Sequence, residues 1–399
     1  MEQKRQLVGR LEDIPKERPT YKGPLIAHKT ELYTTPEQEE YLKQNACTCR
    51  HLWNQLLAHF KSPDVKWNKY EAKKYFQDVL RKDFPWYKDA YSSSLYNIFY
   101  YDMQTAYDHF FRRLKTHKPP YGYPVFKSKD KHNKFSIRMA AAIKIYGRYI
   151  KLPKLDKPIK MRRKVRFKGT VSMASFSLHA GKWYVSLLVR IEDYPEYNQP
   201  YDSVGVDFGL SELAVLSDGT VFHSDHTLKK NLKRLKKLQI AIKTHKKNSS
   251  KREKVLGSNR RNKAKQKIAR LHKRIADQRS AILHNVSDYL TKNYKVICLE
   301  DLNVKGMTKN HHVVRAINDA SFGTLRRQIE YKAKLRGCQV IVIDRWEPTS
   351  KTCCACGSYH KEMVVGVELL TCDCGNVMDR DLNAAINIER AGLELLSQQ

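Results

Sequence analysis

The spacing of apolar residues divides the chain into three parts with different predicted elements. In residues 34–125, apolar side chains recur every three or four positions, which predicts amphipathic helices packed as a bundle. Residues 25–33 and 126–198 carry short apolar runs separated by turn residues, which predicts a small β-barrel interrupted by the helical part. From residue 201 onward, predicted strands and helices are mixed.

Turn and capping residues sharpen these predictions. Thr35, Pro36 and Gln38 have the spacing of a capping box with proline at the first helical position, so a helix should begin there. Tyr146-Gly147-Arg148 separates two short apolar runs and predicts a hairpin, as does the segment 179–182. Residues 1–24 are polar without clear periodicity, and we expect a disordered lead-in.

The third part reads as three consecutive antiparallel strands (202–208, 212–216 and 221–224), two helices and a strand that ends at Glu300. A helix from about Asp319 to Arg336, another strand, a cysteine-rich insertion and a last helix follow. This order of elements predicts an RNase H-like fold. The chain as a whole is therefore predicted to be an α+β multidomain protein.

Three acids stand at the ends of predicted elements. Asp207 and Glu300 belong to predicted strands, and Asp381 lies at the start of the last helix. In the predicted fold all three meet at one end of the sheet, where carboxylates could hold two Mg²⁺ ions about 4 Å apart for phosphodiester hydrolysis. Their mutual repulsion should raise at least one pKa. Two alternatives stay open: Asp381 could be a helix N-cap, and Asp379 could be the third ligand instead.

Five of the nine cysteines fall within 22 residues near the end of the chain. Cys353 and Cys356 form a C-x-x-C pair, Cys372 and Cys374 a C-x-C pair, and each pair is followed by glycine. Two such pairs predict one structural, tetrahedral zinc site, because four thiolates leave no open position for catalysis. Cys354 could replace Cys353 as a ligand, although the C-x-x-C spacing favours Cys353.

The charge of the chain points to a polyanionic partner. Lys and Arg number 75 and Asp and Glu 41, a formal net charge of +34. Between Lys229 and Arg279 there are 21 cations and two acids, too unequal for pairing along a helix and typical of contact with phosphates. There is no apolar run of about 18 residues and no signal peptide, so we expect a cytoplasmic protein. Cysteine clustering favours metal ligands in a reducing compartment over disulfides.

Several motifs together resemble the TnpB family, the RNA-guided DNA nucleases of insertion sequences that are related to compact type V CRISPR effectors. They are GVDFGL, ICLEDLNVKGM, DASFGTLRRQIEYKA, the paired CxxCG and CxCG, and DRDLNAAINI. The resemblance implies a guide RNA and a double-stranded DNA target with a short flanking motif. It also implies a RuvC nuclease domain (201–345 and 379–399) with catalytic residues Asp207, Glu300 and Asp381. A zinc-bearing target-binding module (346–378), a wedge barrel and a helical recognition domain complete the implied organisation.

Other functions are weighed by what the sequence contains. A nuclease-inactive guided repressor typically lacks one of the three acids, and all three are present here. A compact type V CRISPR effector remains an alternative, since the sequence alone does not identify the neighbouring locus. An actin-like ATPase or a kinase would need glycine-rich phosphate loops that the sequence lacks. We expect a monomer, with a dimer as the alternative.

Overall fold

The computed structural model divides the chain into two compact units, Met1–Asp193 and Tyr194–Gln399. The predicted lead-in lies outside the described residues up to position 22. The residues that the structure describes are 23–62, 64–117, 119–129, 131–138, 143–192, 197–224, 227–247, 259–302, 306, 317, 319–362 and 368–398.

Helices form the middle of the first unit. The first helix, α1 (Pro36–His59), begins at the predicted capping box, which is confirmed: Gln38 N donates to Thr35 Oγ1 at 3.3 Å and Thr35 N donates to Gln38 Oε1 at 3.0 Å. Its apolar face is buried among the helices that follow. Those helices are α2 (Lys69–Tyr75), α3 (Arg81–Asp83), α4 (Ser92–Asn97) and α5 (Gln104–Lys115), with π-helical turns at Phe76–Leu80 and Ile98–Met103 and a 3-10 turn at Pro85–Asp89.

A seven-stranded antiparallel sheet completes the first unit, in the order β2-β6-β7-β1-β5-β4-β3. Both predicted hairpins are confirmed, as β3–β4 and β6–β7. In the described residues β2 and β3 are the two end strands of this sheet and do not pair with each other. Closure of the sheet into a barrel therefore stays a prediction. The strands are β1 (Leu25–Tyr33), β2 (Lys134–Ile137), β3 (Lys144–Tyr146), β4 (Tyr149–Lys151), β5 (Ile159–Met161), β6 (Thr170–His179) and β7 (Lys182–Arg190).

The second unit is built on a five-stranded sheet in the order β10-β9-β8-β11-β12. The first three strands are antiparallel neighbours, as predicted, while β11 runs parallel to both β8 and β12. The strands are β8 (Tyr201–Asp207), β9 (Glu212–Leu216), β10 (Val221–His223), β11 (Tyr294–Glu300) and β12 (Gln339–Ile343).

The remaining elements of the unit are α6 (Thr227–Lys247), α7 (Asn259–Asn293), α8 (Phe322–Arg336), β13 (Leu369–Thr371), β14 (Val377–Asp379) and α9 (Arg380–Ser397).

Helices cover both faces of the five-stranded sheet. On one face α7 and α8 bury Val204, Val206, Ile297 and Leu299 in the main core of the unit. On the other face the last helix, α9, packs Ile388 against Cys298, Ile341 and Ile343.

Among the residues that the structure describes, no helix combines the length and the apolar character that crossing a membrane requires.

Candidate metal centres

Two of the three predicted acids end neighbouring strands at the same edge of the sheet. Strands β8 and β11 are parallel, and their register pairs Gly205 with Cys298. The same register, continued by two residues, brings Asp207 beside Glu300. Because side chains alternate along a strand, Asp207 shares the face of Gly205 and Glu300 shares the face of Cys298. Both carboxylates therefore lie on the face that α9 covers.

Helix α9 brings the third acid to the same place. A Cβ atom on Gly205 would lie only 2.0 Å from Ala385 O, so the helix backbone crosses β8 at a point where no side chain fits. Asp381 precedes Ala385 by one helical turn and lies on the same side of the helix. A Cβ atom on Gly209, just beyond Asp207, would be 3.7 Å from Asp381 Oδ2. The chain thus brings together all three predicted acids.

Burial and mutual repulsion change the ionisation of this cluster. Burial first, and then the neighbouring Asp381 and Glu300 carboxylates, raise the pKa of Asp207 to about 7, against the opposing effect of the Arg380 guanidinium. The pKa of Glu300 is also raised, by burial first and by Asp301 second. The prediction that at least one carboxyl of the cluster has a raised pKa is confirmed.

Asp379 and Asp381, the two candidates for the third metal ligand, have different surroundings. Asp379 is the N-cap of α9: its Oδ1 accepts hydrogen bonds from the backbone N of Asp381 and of Leu382, both at 2.9 Å. The interpretation of Asp381 as the N-cap is therefore wrong, because Asp381 lies inside the first turn. Its carboxylate instead lies 3.3 Å from Arg380 Nη2. Helix capping therefore engages Asp379 Oδ1, whereas the Asp381 carboxylate takes no part in it.

The acids are more widely spaced than the cysteines. Among the described residues, Cys353, Cys356, Cys372 and Cys374 form the one group of three or more possible metal ligands whose donor atoms all lie within 4.8 Å of one another. Cys353 Sγ and Cys374 Sγ are 3.8 Å apart, and Cys356 Sγ and Cys372 Sγ are 3.5 Å apart. Sulfur atoms about 2.3 Å from a tetrahedral zinc ion would be about 3.8 Å from one another. The four thiols therefore fit zinc.

Two glycines allow the chain to turn tightly around these thiols. Gly357 and Gly375 have φ angles of 80° and 87°, values that disfavour side chains with a Cβ atom. Their N–H groups donate to Cys353 O and Cys372 O, each at 2.9 Å. Cys354 points elsewhere, with its Sγ 3.3 Å from Met378 Sδ. Of the two alternatives, the geometry thus favours Cys353 over Cys354 as the ligand.

The basic segment forms a helical hairpin. Leu235 of α6 packs against Leu271 and Ile275 of α7, and this apolar seam leaves most of the cations on the outside. The exposed cations of the described part of the hairpin are Lys229, Lys230, Lys233, Arg234, Lys236, Lys237, Arg260, Lys263, Lys265, Lys267, Arg270 and Arg274.

Sequence reasoning missed a group of charges beside the acids. Asp301, next to Glu300, accepts a hydrogen bond from Arg326 Nη1 at 2.7 Å and pairs with Arg345. These two guanidinium groups lower the pKa of Asp301. They tie the end of β11 to α8 and to the segment after β12, so they help to hold Glu300 in place. The one feature of the sequence that could have indicated this group is Asp301 itself, the acid directly after Glu300.

Comparison with known proteins identifies relatives over most of the chain. The sequence models of three families match: "Probable transposase" at residues 186–311, "Cas12f1-like, TNB domain" at 322–388 and "Helix-turn-helix domain" at 25–62. Residues 25–62 of this chain form β1 and the single helix α1.

Two relatives are provisionally named RNA-guided DNA endonucleases. One, from Streptomyces pristinaespiralis, is 34% identical over 294 residues, which cover 73% of this chain and 69% of the relative. The other, InsQ from Escherichia coli K12, is 31% identical over 394 residues and 94% of both chains.

A solved structure, the Cas12f1–sgRNA–target DNA complex, matches 89% of this chain and 83% of its own with a TM-score of 0.52 and 17% identity. At that identity the match establishes the fold alone. The chain thus has the α+β fold of a compact Cas12 effector and carries a zinc-ribbon-like cysteine cluster. It belongs to the TnpB family of IS605-type elements.

Proposed function

We propose that the chain is an RNA-guided DNA endonuclease whose cutting centre consists of Asp207, Glu300 and Asp381. The observation that carries this proposal is the convergence of the three carboxylates from β8, β11 and α9 at one sheet edge. The names of the relatives support an RNA-guided activity on DNA. The order and pairing of β8–β12 support an RNase H-like RuvC domain formed by residues 201–345 and 379–399.

The three acids fit Mg²⁺ because the Arg380 guanidinium beside Asp207 does not offset the burial and the repulsion that raise the pKa of Asp207. Burial and neighbouring carboxylates keep Asp207 protonated up to about pH 7, and a divalent cation would relieve that repulsion. Asp207, Glu300 and Asp381 would hold the metal. When bound, two Mg²⁺ ions would supply an activated water and stabilisation of the leaving oxygen. The residues themselves fix the position of this site, Asp207 and Glu300 through the sheet and Asp381 through α9.

The remaining parts have separate roles in this proposal. One zinc ion on Cys353, Cys356, Cys372 and Cys374 is structural, because all four positions of a tetrahedron are filled by protein. The exposed cations of α6 and α7 contact the phosphates of the guide RNA or of its hybrid with DNA. Residues 25–33 with 126–198 are the wedge barrel, and residues 34–125 are the recognition domain.

The substrate is double-stranded DNA that carries a short flanking motif, and the protein acts as a monomer. Sequence recognition is left to base pairing with the guide, so the protein's own contacts are mainly with backbones. A cleavage-deficient repressor is disfavoured because none of the three acids is replaced.

The central experiment compares cutting with binding. Asp207→Ala should abolish DNA cutting in Mg²⁺ and leave guided DNA binding nearly unchanged, because affinity comes from the cations and from base pairing. Glu394→Gln, which changes an exposed acid of α9 far from the cluster, is the matched control and should cut normally. Cutting by Asp207→Ala at the control rate would refute the assignment of the cutting centre. Copurification of unspecific RNA instead of one discrete species would argue against a guide.

A further inference from the structure

Helix α9 contacts two different parts of the unit with its two opposite sides. Successive residues of an α-helix are turned by about 100°, so Asp381 and Gly392 share one side while Asn383 and Asn387 share the other. On the first side the helix rests on the sheet, where a Cβ atom on Gly392 would lie 2.3 Å from Cys298 Sγ. The second side faces the segment that leads into the first pair of zinc ligands.

Two asparagines bind the backbone of that segment. Asn383 Nδ2 donates to Thr349 O at 3.3 Å and to Thr352 O at 2.8 Å, and Asn387 Nδ2 donates to the same carbonyls at 2.8 and 2.6 Å. Asn383 Oδ1 accepts from Cys354 N at 2.8 Å. Asn383 is fully buried, and Asn387 nearly so. We call these contacts the asparagine clamp; a carboxamide is required because only it offers two N–H donors beside an acceptor.

The second pair of zinc ligands is joined to the same helix through the chain. Strand β14 follows Cys374 and ends at Asp379, which caps α9 by accepting from Asp381 N. Zinc on the four cysteines would link the clamped segment to the capping segment. The result would be a closed ring: clamp, first cysteine pair, metal, second cysteine pair, N-cap and the first turn of α9.

We propose that this ring positions Asp381, so that the zinc ribbon assembles the cutting centre in addition to any contact with nucleic acid, and that Asn383 and Asn387 are positioning residues. The inference rests on the proposed function, since it takes Asp381 to be a catalytic residue. Its physical reason is geometric: Asp381 lies in the first turn of α9, which rests on the sheet with one side only. The clamp and the N-cap hold the same turn from the opposite side.

The first test follows backbone hydrogen exchange in the full-length protein before and after a chelator removes zinc. Amides of residues 380–387 should exchange at least about tenfold faster without zinc, because one of the two attachments of the first turn is lost. Amides of β8 should be unchanged, which would show that the sheet remains folded. Faster exchange confined to residues 353–374 would overturn the proposal.

The second test uses Asn387→Asp, which keeps the size of the side chain and removes both N–H donors. Zinc should pass to a competing chelator about tenfold faster or more, as is usual when a group that supports metal ligands is lost. The Mg²⁺ concentration for half-maximal cutting should rise several-fold, while the cutting rate recovers at saturating Mg²⁺. If the variant were merely less folded, its cutting rate would instead fall by the same factor at every Mg²⁺ concentration.

Controls separate this proposal from the proposed function. Glu394→Gln should leave zinc release and the Mg²⁺ dependence unchanged. If Asn387→Asp does not fold, Arg390→Met is the milder variant, since it removes one hydrogen bond from Arg390 Nη2 to Cys354 O at 2.7 Å. If Asp207→Ala is inactive but Asn387→Asp and Arg390→Met keep normal zinc retention and Mg²⁺ dependence, the clamp proposal alone is wrong. If Asp207→Ala still cuts, the proposed function fails first.

Discussion

Replacing Asp207 by Asn should stabilise the Mg²⁺-free protein, and more so at higher pH. In the folded chain the pKa of Asp207 is raised to about 7 from an ordinary value of 3.8. Between these two values the unfolded chain has lost the proton and the folded chain retains it, so folding stability falls as pH rises. Each pH unit costs about 1.4 kcal/mol. From about pH 5 to about pH 7 the loss is therefore about 2 to 3 kcal/mol, and it is complete above pH 7.

The assay is denaturant unfolding of wild type and Asp207→Asn in Mg²⁺-free buffer without chelator, which leaves zinc in place. An uncharged amide has no proton to lose, so the advantage of the variant should widen by about 2 to 3 kcal/mol between about pH 5 and about pH 8. Added Mg²⁺ should narrow that gap, because a bound cation favours the carboxylate. Glu394→Gln controls for the change of charge. An equal gap at both pH values would refute the reasoning, since it would mean that Asp207 ionises normally in the folded chain.

Two further predictions concern the rival acid and the basic hairpin. Asp381→Asn should abolish cutting, whereas Asp379→Asn should cut at a reduced rate, because Asn also caps helices well; the reverse order in a cleavage assay would mean that Asp379 is the ligand. Replacing Lys233, Lys236 and Lys237 by Gln should weaken RNA binding equally for unrelated guides and flatten its salt dependence. A loss confined to particular guide sequences would indicate base readout instead.

The start of α1 and the turn of the β3–β4 hairpin could be predicted because their signals are local. Thr35, Pro36 and Gln38 specify the start of α1 within four residues of sequence, and the residues of the capping box need nothing else to form it. Gly147 likewise marks the turn of the β3–β4 hairpin, where its φ is 55°. The acids were found in the same way, because each lies at the end of an element.

The relations between distant segments could not be predicted. Nothing near Gly205 in the sequence shows that Ala385 O will lie against it, because that contact joins residues 180 positions apart. The asparagine clamp could not be predicted for the same reason, because its contacts join segments that are distant in the sequence. From the sequence alone, an asparagine in a helix indicates only weak helix propensity. The alternative of Asp381 as the N-cap stayed open for a different reason. Both Asp379 and Asp381 are good capping residues, and the position of the first helical turn decides between them.

The three acids also differ in how firmly the fold holds them. Asp207 and Glu300 end strands that are hydrogen-bonded on both sides within the sheet. Asp381 lies in the first turn of a helix, where N–H groups lack partners and helices fray. Of the three acids, Asp381 is therefore the one that secondary structure secures least. Asp379 supplies the missing partners by capping, and the clamp fixes the next turn. These contacts therefore hold in place the first turns of α9, the part of the helix that carries Asp381.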